Sequence, residues 1–339
     1  MVKDNISNLR VLMREHGLSA YIMPSTDPHA SEYMADYWKE TEWLTGFKGE
    51  TCTVLVTLSD AFLWTDSRYY LQAEKELAGT GVALMRESEV DTPSIPVWLS
   101  KNLSAGETVG VNAEMFSVKA YNELQSELAE VAIKLHNIDL VKPLWTDRGA
   151  MPQSKLYEYR VEYAGESVKS KLVKVRRALA DKRCDTMIIS ALDEIAWLLN
   201  VRGSDVEFNP VIISYLLLEK DKCTLFIEPE KLNKEALEYL MSEQIAVQDY
   251  FNIYNALMSL PHSSKVLFDG SRLNKALEEA IPVACKRVDT QSPVMLLKSC
   301  KNEVEIKGER KAMLEDAVAL TRFFRWLETE AFQTKQRSE

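Results

Sequence analysis

Leu9-Arg10, followed by Gly17-Leu18-Ser19-Ala20-Tyr21-Ile22-Met23, returns later in the chain as Val175-Arg176, followed by Arg183-Cys184-Asp185-Thr186-Met187-Ile188-Ile189. A shift of 166 positions lays Leu9 on Val175, Tyr21 on Met187 and Asp27 on Asp193. In each copy a helical stripe of apolar residues leads through a turn into a short apolar run, the order helix, turn, strand. The interval is much longer than the roughly 20 to 50 residues of a solenoid repeat, so it predicts duplication of a whole domain. A length of 339 residues, at about 150 per domain, likewise implies two domains and a remainder.

Outward from the first copy, Ile6, Leu9 and Met13, flanked by Val11 and Leu12, predict a helix over 6–16 that Gly17 stops. An apolar strand over 18–23 follows, closed by Pro24. Two further strands, 51–58 and 61–65, are joined by the Ser59-Asp60 turn, and Asp66 or Ser67 can cap a helix over 68–77. Strands over 82–85, 109–111 and 133–135, with a helix over 117–130, complete a mixed α/β domain placed at 1–150. Residues 143–152, with Trp145-Thr146-Asp147-Arg148-Gly149, form the expected linker, which 156–165 continues.

The second domain, placed at 160–297, repeats the order. A helix over 167–180 leads to a strand over 186–190, and a hairpin pairs 210–218 with 222–227 across Glu219-Lys220-Asp221. Then come a helix over 231–241, a strand over 245–247, a helix over 253–260, a strand over 265–268 and a helix over 274–281. In the remainder, 298–339, Met313, Ala317, Leu320, Phe324 and Leu327 recur at spacings of three and four. They mark the buried face of one long helix, widened by Phe323 and Trp326. Nothing after Ala331 can cover that face, so the helix either folds back on the second domain or leaves an apolar stripe exposed.

Apolar residues make up 46% of the chain, enough for real cores. With 41 basic against 51 acidic residues the net charge is −10, which repels phosphate backbones and argues against nucleic acid as a partner. The cluster at 169–183 is a local exception. There Lys171, Lys174 and Arg177 are expected on a solvated helix face opposite Val168, Leu172, Val175 and Leu179. Five scattered cysteines, none in a Cys-x-x-Cys pair, indicate reduced thiols in a cytoplasmic protein rather than a zinc knuckle or disulfide framework. Residues 1–17 carry charge throughout and lack an apolar h-region, so no signal peptide is expected. No uncharged apolar run approaches the ~20 residues that cross a bilayer, so no membrane partner is expected either.

The common catalytic signatures are missing: no Gly-x-Gly-x-x-Gly, Gly-x-Ser-x-Gly, Walker loop or His-Glu-x-x-His. Among the four histidines only His29, with Glu32 three residues on, has a carboxylate at helical ligand spacing. A useful metal site needs three or more ligands, so local hydrogen bonding is the expected role of His29. Two segments are rich in side chains that do specific work. In Trp64-Thr65-Asp66-Ser67-Arg68-Tyr69-Tyr70 a strand turns into a helix, and Arg68 offers a planar donor fork suited to a carboxylate or carbonyl. Spacing alone favours a simpler arrangement, in which Asp66 caps the helix and Arg68 pairs with it or a neighbour. In Asp193 to Pro210, Trp197, Leu198 and Val201 supply helical packing, and Gly203-Ser204-Asp205 opens a polar loop.

These two segments closely resemble the aminopeptidase P, or X-prolyl aminopeptidase, family of the long three-domain type. Residues 64–73 resemble its W-T-D-G-R-Y-F-L-Q-A, and 191–210 its A-L-D-E-I-A-W-L-x-N-x-R-G-S-D-V-x-x-N-P. Asp27-Pro28-His29-Ala30-Ser31-Glu32-Tyr33 and the segment 299–327 also fit; Ser67 departs from the usual glycine, and 332–339 fits poorly. The resemblance implies an α/β fold of two tandem creatinase N-terminal-like (ribonuclease-H-like) mixed-sheet domains, followed by the first helix of a pita-bread metallopeptidase domain. In the intact hydrolase that third domain holds two manganese ions, which activate a hydroxide and polarise the Xaa-Pro bond. No residue of this chain lands on its metal ligands, so the resemblance implies no catalytic residue, no metal ligand and no cofactor here, and inactivity of the chain alone. The one residue it carries over as substrate-binding is Arg68. It further implies a homodimer, an Xaa-Pro peptide as substrate of the full-length enzyme, and a non-catalytic region that shapes substrate access. The alternatives are a naturally short peptide-binding or regulatory protein derived from the family, and an unrelated acidic-substrate enzyme using His29 and Glu32.

Overall fold

In the computed structural model, which describes residues 2–330, the two repeated apolar runs occupy the same place in two six-stranded sheets. The first unit runs α1 (Val2–Glu15), β1 (Ala20–Pro24), α2 (Glu40–Thr45), β2 (Thr53–Thr57), β3 (Ala61–Thr65), α3 (Tyr70–Glu76), β4 (Ala83–Arg86) and α4 (Ile95–Asn102). It closes with β5 (Thr108–Val111), α5 (Val118–Glu130) and β6 (Lys134–Asn137). Its sheet has the order β4-β3-β2-β1-β5-β6; only β1–β2 and β2–β3 pair antiparallel. The antiparallel pairs come from the hairpin that Ser59-Asp60 allows, the parallel ones from helical crossovers.

The second unit opens with β7 (Tyr157–Glu158), α6 (Val161–Ala164), α7 (Val168–Asp181), β8 (Thr186–Ile189), α8 (Leu192–Leu198) and β9 (Val201–Arg202). Then follow β10 (Tyr215–Glu219), β11 (Cys223–Phe226), α9 (Lys234–Ser242), β12 (Ala246–Gln248), α10 (Asn252–Met258), β13 (Lys265–Phe268), α11 (Lys275–Ala280) and β14 (Lys286–Asp289). The order β12-β11-β10-β8-β13-β14 and the pattern of pairing directions reproduce the first sheet strand for strand. Two α-helices, α12 (Pro293–Ser299) and α13 (Glu303–Thr329), end the described chain. The sequence had marked neither the short helices α2, α4, α6 and α12 nor the edge strand β14. The small β7–β9 ribbon also lies where a continued linker and a helix end were expected.

Alternation along the strands sorts the core into layers. On β1, Tyr21 and Met23 enter one apolar cluster with Leu9 and Met13 of α1, while Ala20 and Ile22 enter another. On β8, Met187 and Ile189 pack with Leu172 and Val175 of α7. Ile188, on the opposite face, joins the same cluster as Ile22. That shared cluster takes Leu99 and Tyr121 from α4 and α5, and Ile253 and Leu277 from α10 and α11. The two units therefore have private outer cores and one common inner core, with each large apolar side chain in it worth about 1.5–3 kcal/mol of burial. Backbone bonds cross the same layer. Val118 N–H donates to Leu273 O and Lys275 N–H to Phe116 O, both at 2.9 Å, around the bridge between Ser117 and Asn274. Ser117 and Asn274 are the N-caps of the equivalent helices α5 and α11, so a pseudo-twofold axis passes between them.

Two expectations need correction, and one alternative left open is decided. The helix after β3 starts at Tyr70, and neither Asp66 nor Ser67 caps it; Asp66 Oδ1 instead accepts the Arg68 N–H at 3.0 Å. Lys171 is not on a solvated face. It is buried, donates to Trp197 O at 2.8 Å and Asn200 Oδ1 at 2.7 Å, and lies 4.1 Å from the Trp197 ring centroid. Burial pushes its ammonium down to about 8. Finally, α13 has the expected helical stripe but buries none of it: Leu314, Leu320 and Phe324 are all more than half exposed. The helix is anchored at its start, where Asn302 and Glu305 form a capping box and Asn302 Nδ2 donates to Ala164 O at 2.8 Å. A Cβ on Gly165, which has φ of 70°, would sit 2.2 Å from Asn302 Oδ1, so glycine is required there twice over.

Replacing Lys171 with alanine leaves Trp197 O and Asn200 Oδ1 without their donor and opens a hole beside Trp197. Lys171→Ala is expected to lower the free energy of unfolding by about 2–3 kcal/mol in urea titration, against less than about 0.5 kcal/mol for exposed Lys169→Ala.

Candidate functional site

Arg68 follows the end of β3, where the strand turns into α3, and its side chain is 67% exposed. Its Nε donates to Asp66 Oδ1 at 2.9 Å and one Nη to Asp66 Oδ2 at 2.7 Å, a bidentate pair, with Thr51 Oγ1 at 3.3 Å. The hydrogen bonds from Arg68 hold the Asp66 carboxyl below the usual carboxylate range. The guanidinium also lies 5.2 Å from the Tyr69 ring centroid. These contacts fix the plane of the fork, while the other Nη makes no hydrogen bond within the described residues. The pairing with Asp66 that spacing favoured is present, and it leaves one edge of the guanidinium turned to solvent.

The second candidate region lies between the two units. There the segment after β1 and the segment at α8 meet across a cleft of about 320 Å³, bordered by His29, Glu32, Tyr33, Asp193, Asn209, Arg272 and Lys298. The sequence had singled out both segments without placing them together. Asp27 organises the first of them: its Oδ1 accepts from His29 N–H at 2.9 Å and Ser31 N–H at 3.0 Å, and Ala30 between them takes a φ of 51°. Arg272 reaches Ala30 O at 3.3 Å, and Lys298 pairs with Asp193 across α8 and α12.

His29 itself is buried, and its partners are distant rather than local as expected. Nδ1 meets Ser190 O at 2.9 Å and Nε2 meets Tyr250 Oη at 2.8 Å, both in the second unit. A carbonyl only accepts, so Nδ1 carries the proton and Nε2 accepts from the tyrosine. Burial pushes the imidazole below its ordinary value, which favours this neutral form. Both ring nitrogens are thus committed, and Tyr215 packs against the ring with centroids 4.4 Å apart. Asn274 Nδ2 extends the link by donating to Pro28 O at 2.8 Å. Glu32 stands on the cleft wall and has no part in this network.

Two buried ion pairs stiffen the surroundings. Lys231 and Asp205, both fully buried, meet at 2.6 Å; Asp205 also accepts from Ser154 and from Ile213 N–H, which pins the loop after Gly203. Arg148 meets Glu40 at 3.1 Å and stacks 4.1 Å from the Tyr37 centroid. Burial nonetheless pushes the Glu40 carboxyl up to about 7 against the opposing pull of Arg148. Glu194 of α8, which accepts the Ser292 hydroxyl, is raised to about 7 by the same cause. Among the described residues, no three of His, Cys, Asp or Glu gather so as to hold a metal ion, and no helix is long and apolar enough to cross a membrane.

Two families, both described as Creatinase/Prolidase N-terminal domain, match residues 5–142 and 147–305. Xaa-Pro aminopeptidase 1 of Dictyostelium discoideum is 35% identical over 97% of this chain and 54% of its own length. A Drosophila melanogaster Xaa-Pro aminopeptidase is 36% identical over 92% of this chain and 52% of its own. Among solved structures, the X-prolyl aminopeptidase of Caenorhabditis elegans, a cytosolic enzyme with a di-nuclear active site, superposes on 99% of this chain. The TM-score there is 0.92 at 30% identity, over 57% of that protein.

The chain is built of two creatinase/prolidase N-terminal domains, and Xaa-Pro aminopeptidases are its strong homologues. It has one long helix after those domains, and spans about half the length of the curated relatives it matches. Within this chain, Arg68 and the His29 cleft are separate features; the sequence marked Arg68, His29 and Glu32 but missed Tyr250, Arg272, Glu40 and Arg148. Nothing in local patterning identifies those four, because each acquires its role from a partner about 100 or more residues away, as the Arg148–Glu40 and His29–Tyr250 pairs show.

A carboxyl whose folded-state value is raised holds its proton more tightly folded than unfolded. The stability it contributes is complete below the unfolded value and is lost as pH rises through the folded one. For Glu194 and Glu40 the window runs from about 4.5 to about 7. Unfolding free energy is expected to decline across that window, and Glu194→Gln is expected to flatten the decline by its share; an unchanged slope in denaturant titrations at a series of pH values would refute the assignment.

Proposed function

We propose that this chain is the N-terminal, non-catalytic part of an Xaa-Pro aminopeptidase, a cytoplasmic homodimer in its full-length form, and that it shapes peptide access while Arg68 contacts the substrate. The observation that carries this reading is the superposition of 99% of the chain on an X-prolyl aminopeptidase at a TM-score of 0.92. The exposed fork of Arg68 adds chemistry to it. With Asp66 fixing the plane, the open edge can receive a peptide carboxylate or carbonyl without further ordering of the side chain.

The residues described here do not fit a pair of manganese ions. The candidate ligands are committed elsewhere: His29 to Ser190 and Tyr250, Asp205 to Lys231, Glu40 to Arg148. The chemical step therefore falls to the part of the relatives' length that this chain does not span, and no step is assigned to residues here. The shared inner core supports the structural role. It holds the two units as one body, so that a residue at the end of β3 has a fixed position relative to whatever follows α13.

Two measurements test the proposal. The purified chain is expected to release no N-terminal residue from an Xaa-Pro-Yaa peptide when manganese is supplied. Turnover that a chelator abolishes, absent from a mock preparation, would overturn the non-catalytic assignment. In a polypeptide of the relatives' full length, Arg68→Ala is expected to lower kcat/KM by about tenfold or more, with Arg68→Lys failing to restore it because a point ammonium lacks the fork. Kinetics unaltered by Arg68→Ala would remove the substrate-binding role.

A further inference from the structure

Beside the inner core lies a second interdomain cavity, of about 180 Å³, that the reading above does not use. Its walls are rich in aromatic rings: Trp38 and Tyr37 come from the first unit, Tyr250, Phe251 and Tyr254 from the second. It also takes in three carboxylates, Glu40, Glu114 and Asp139. Against these the interior holds one cation, Arg148, whose Nε donates to Tyr37 O at 2.6 Å and whose Nη is given to Glu40 Oε1. Lys142 lines the rim with its side chain exposed. The interior therefore carries more negative than positive charge.

The carboxylates are only half satisfied. Asp139 Oδ1 accepts from Val141 N–H at 2.9 Å and Lys142 N–H at 3.0 Å, and Glu114 Oε1 accepts from Tyr254 Oη at 2.6 Å. Among the described residues no protein donor reaches the second oxygen of Asp139, Glu114 or Glu40, and none of these three oxygens is sealed from water. An oxygen with no protein donor can take a charge-assisted hydrogen bond from a cation that carries N–H groups. The three acids do not gather closely enough to ligate a metal ion. They are spaced around a hollow of about 180 Å³, which suits a cation with a carbon body. Aromatic faces attract such a cation while covering its apolar part.

We propose that this cavity binds a small organic ammonium ion, its N–H groups donating to Glu40, Asp139 and Glu114 and its carbon body lying against Trp38, Tyr250 and Tyr254. The site joins residues of both units, so its occupant bridges them. Binding involves no covalent step.

Isothermal titration of the chain with n-butylammonium chloride tests this, with n-butanol as the uncharged match in shape. Saturable binding of one ammonium per chain is expected, with n-butanol at least about tenfold weaker. Asp139→Asn keeps an oxygen for the Val141 and Lys142 amides yet loses the charge, and is expected to weaken butylammonium at least about tenfold. Should Asp139→Asn fail to fold by circular dichroism, Glu114→Gln, placed nearer the Tyr254 side, decides with the same expected loss. No saturable heat at millimolar concentrations, equal binding of the alcohol, or undiminished binding in the folded variant would overturn the proposal.

Discussion

Burial of a single apolar layer between two sheets is the constraint on which this molecule depends. Ile22 and Val111 on one side and Ile188, Leu217 and Val266 on the other belong to one contiguous cluster. Neither unit can complete its core alone, because the helices α4, α5, α10 and α11 that cover the inner faces also cover each other. Water excluded from that layer makes every polar group in it consequential. The link from His29 to Ser190 and Tyr250, the Asn274 contact to Pro28 O and the paired amides around Ser117 all sit where an unmet hydrogen bond would cost about 1–3 kcal/mol. The apolar layer holds the units together, and the polar links fix the angle between them.

Much of the architecture was legible in the chain. Short apolar runs and the hairpin turns located nearly every strand of the two sheets, because a strand buried on both faces is apolar on both, as Ala20 to Met23 and Met187 to Ile189 are. The repeat at 166 positions gave the doubling, and the sheet orders match it strand for strand. Short helices such as α2 and α4 escaped notice since six to eight residues hold barely two turns of pattern. The edge strand β14, Lys286–Asp289, is half-exposed and polar but for Val288, so it carries almost no apolar signal.

The candidate sites were legible only as parts. Arg68 could be picked out because its turn, its acid and its aromatic neighbours lie within seven consecutive residues. His29 was visible as an unusual residue, but its role depends on a carbonyl 161 residues away and a hydroxyl 221 away, which no local rule supplies. Lys171 shows the converse failure. On a helical wheel it belongs with Lys174 and Arg177, yet the carbonyl of Trp197 and the amide of Asn200 draw it inward, and the wheel records spacing rather than what stands opposite.

The dyad between Ser117 and Asn274 makes the two halves behave as partners in an internal dimer. Matching helix caps that face each other across an axis form the kind of contact two identical subunits make when each offers the same patch to its twin. The present polypeptide thus holds, within one chain, the isologous geometry that a homodimer forms between two. Joined in one chain, the halves need not be alike: where one carries His29 the register of the other offers Ile195, and where one has Asp27 the other has a surface-paired Asp193. Chemical distinctness in such a pair lies where the twins have parted company.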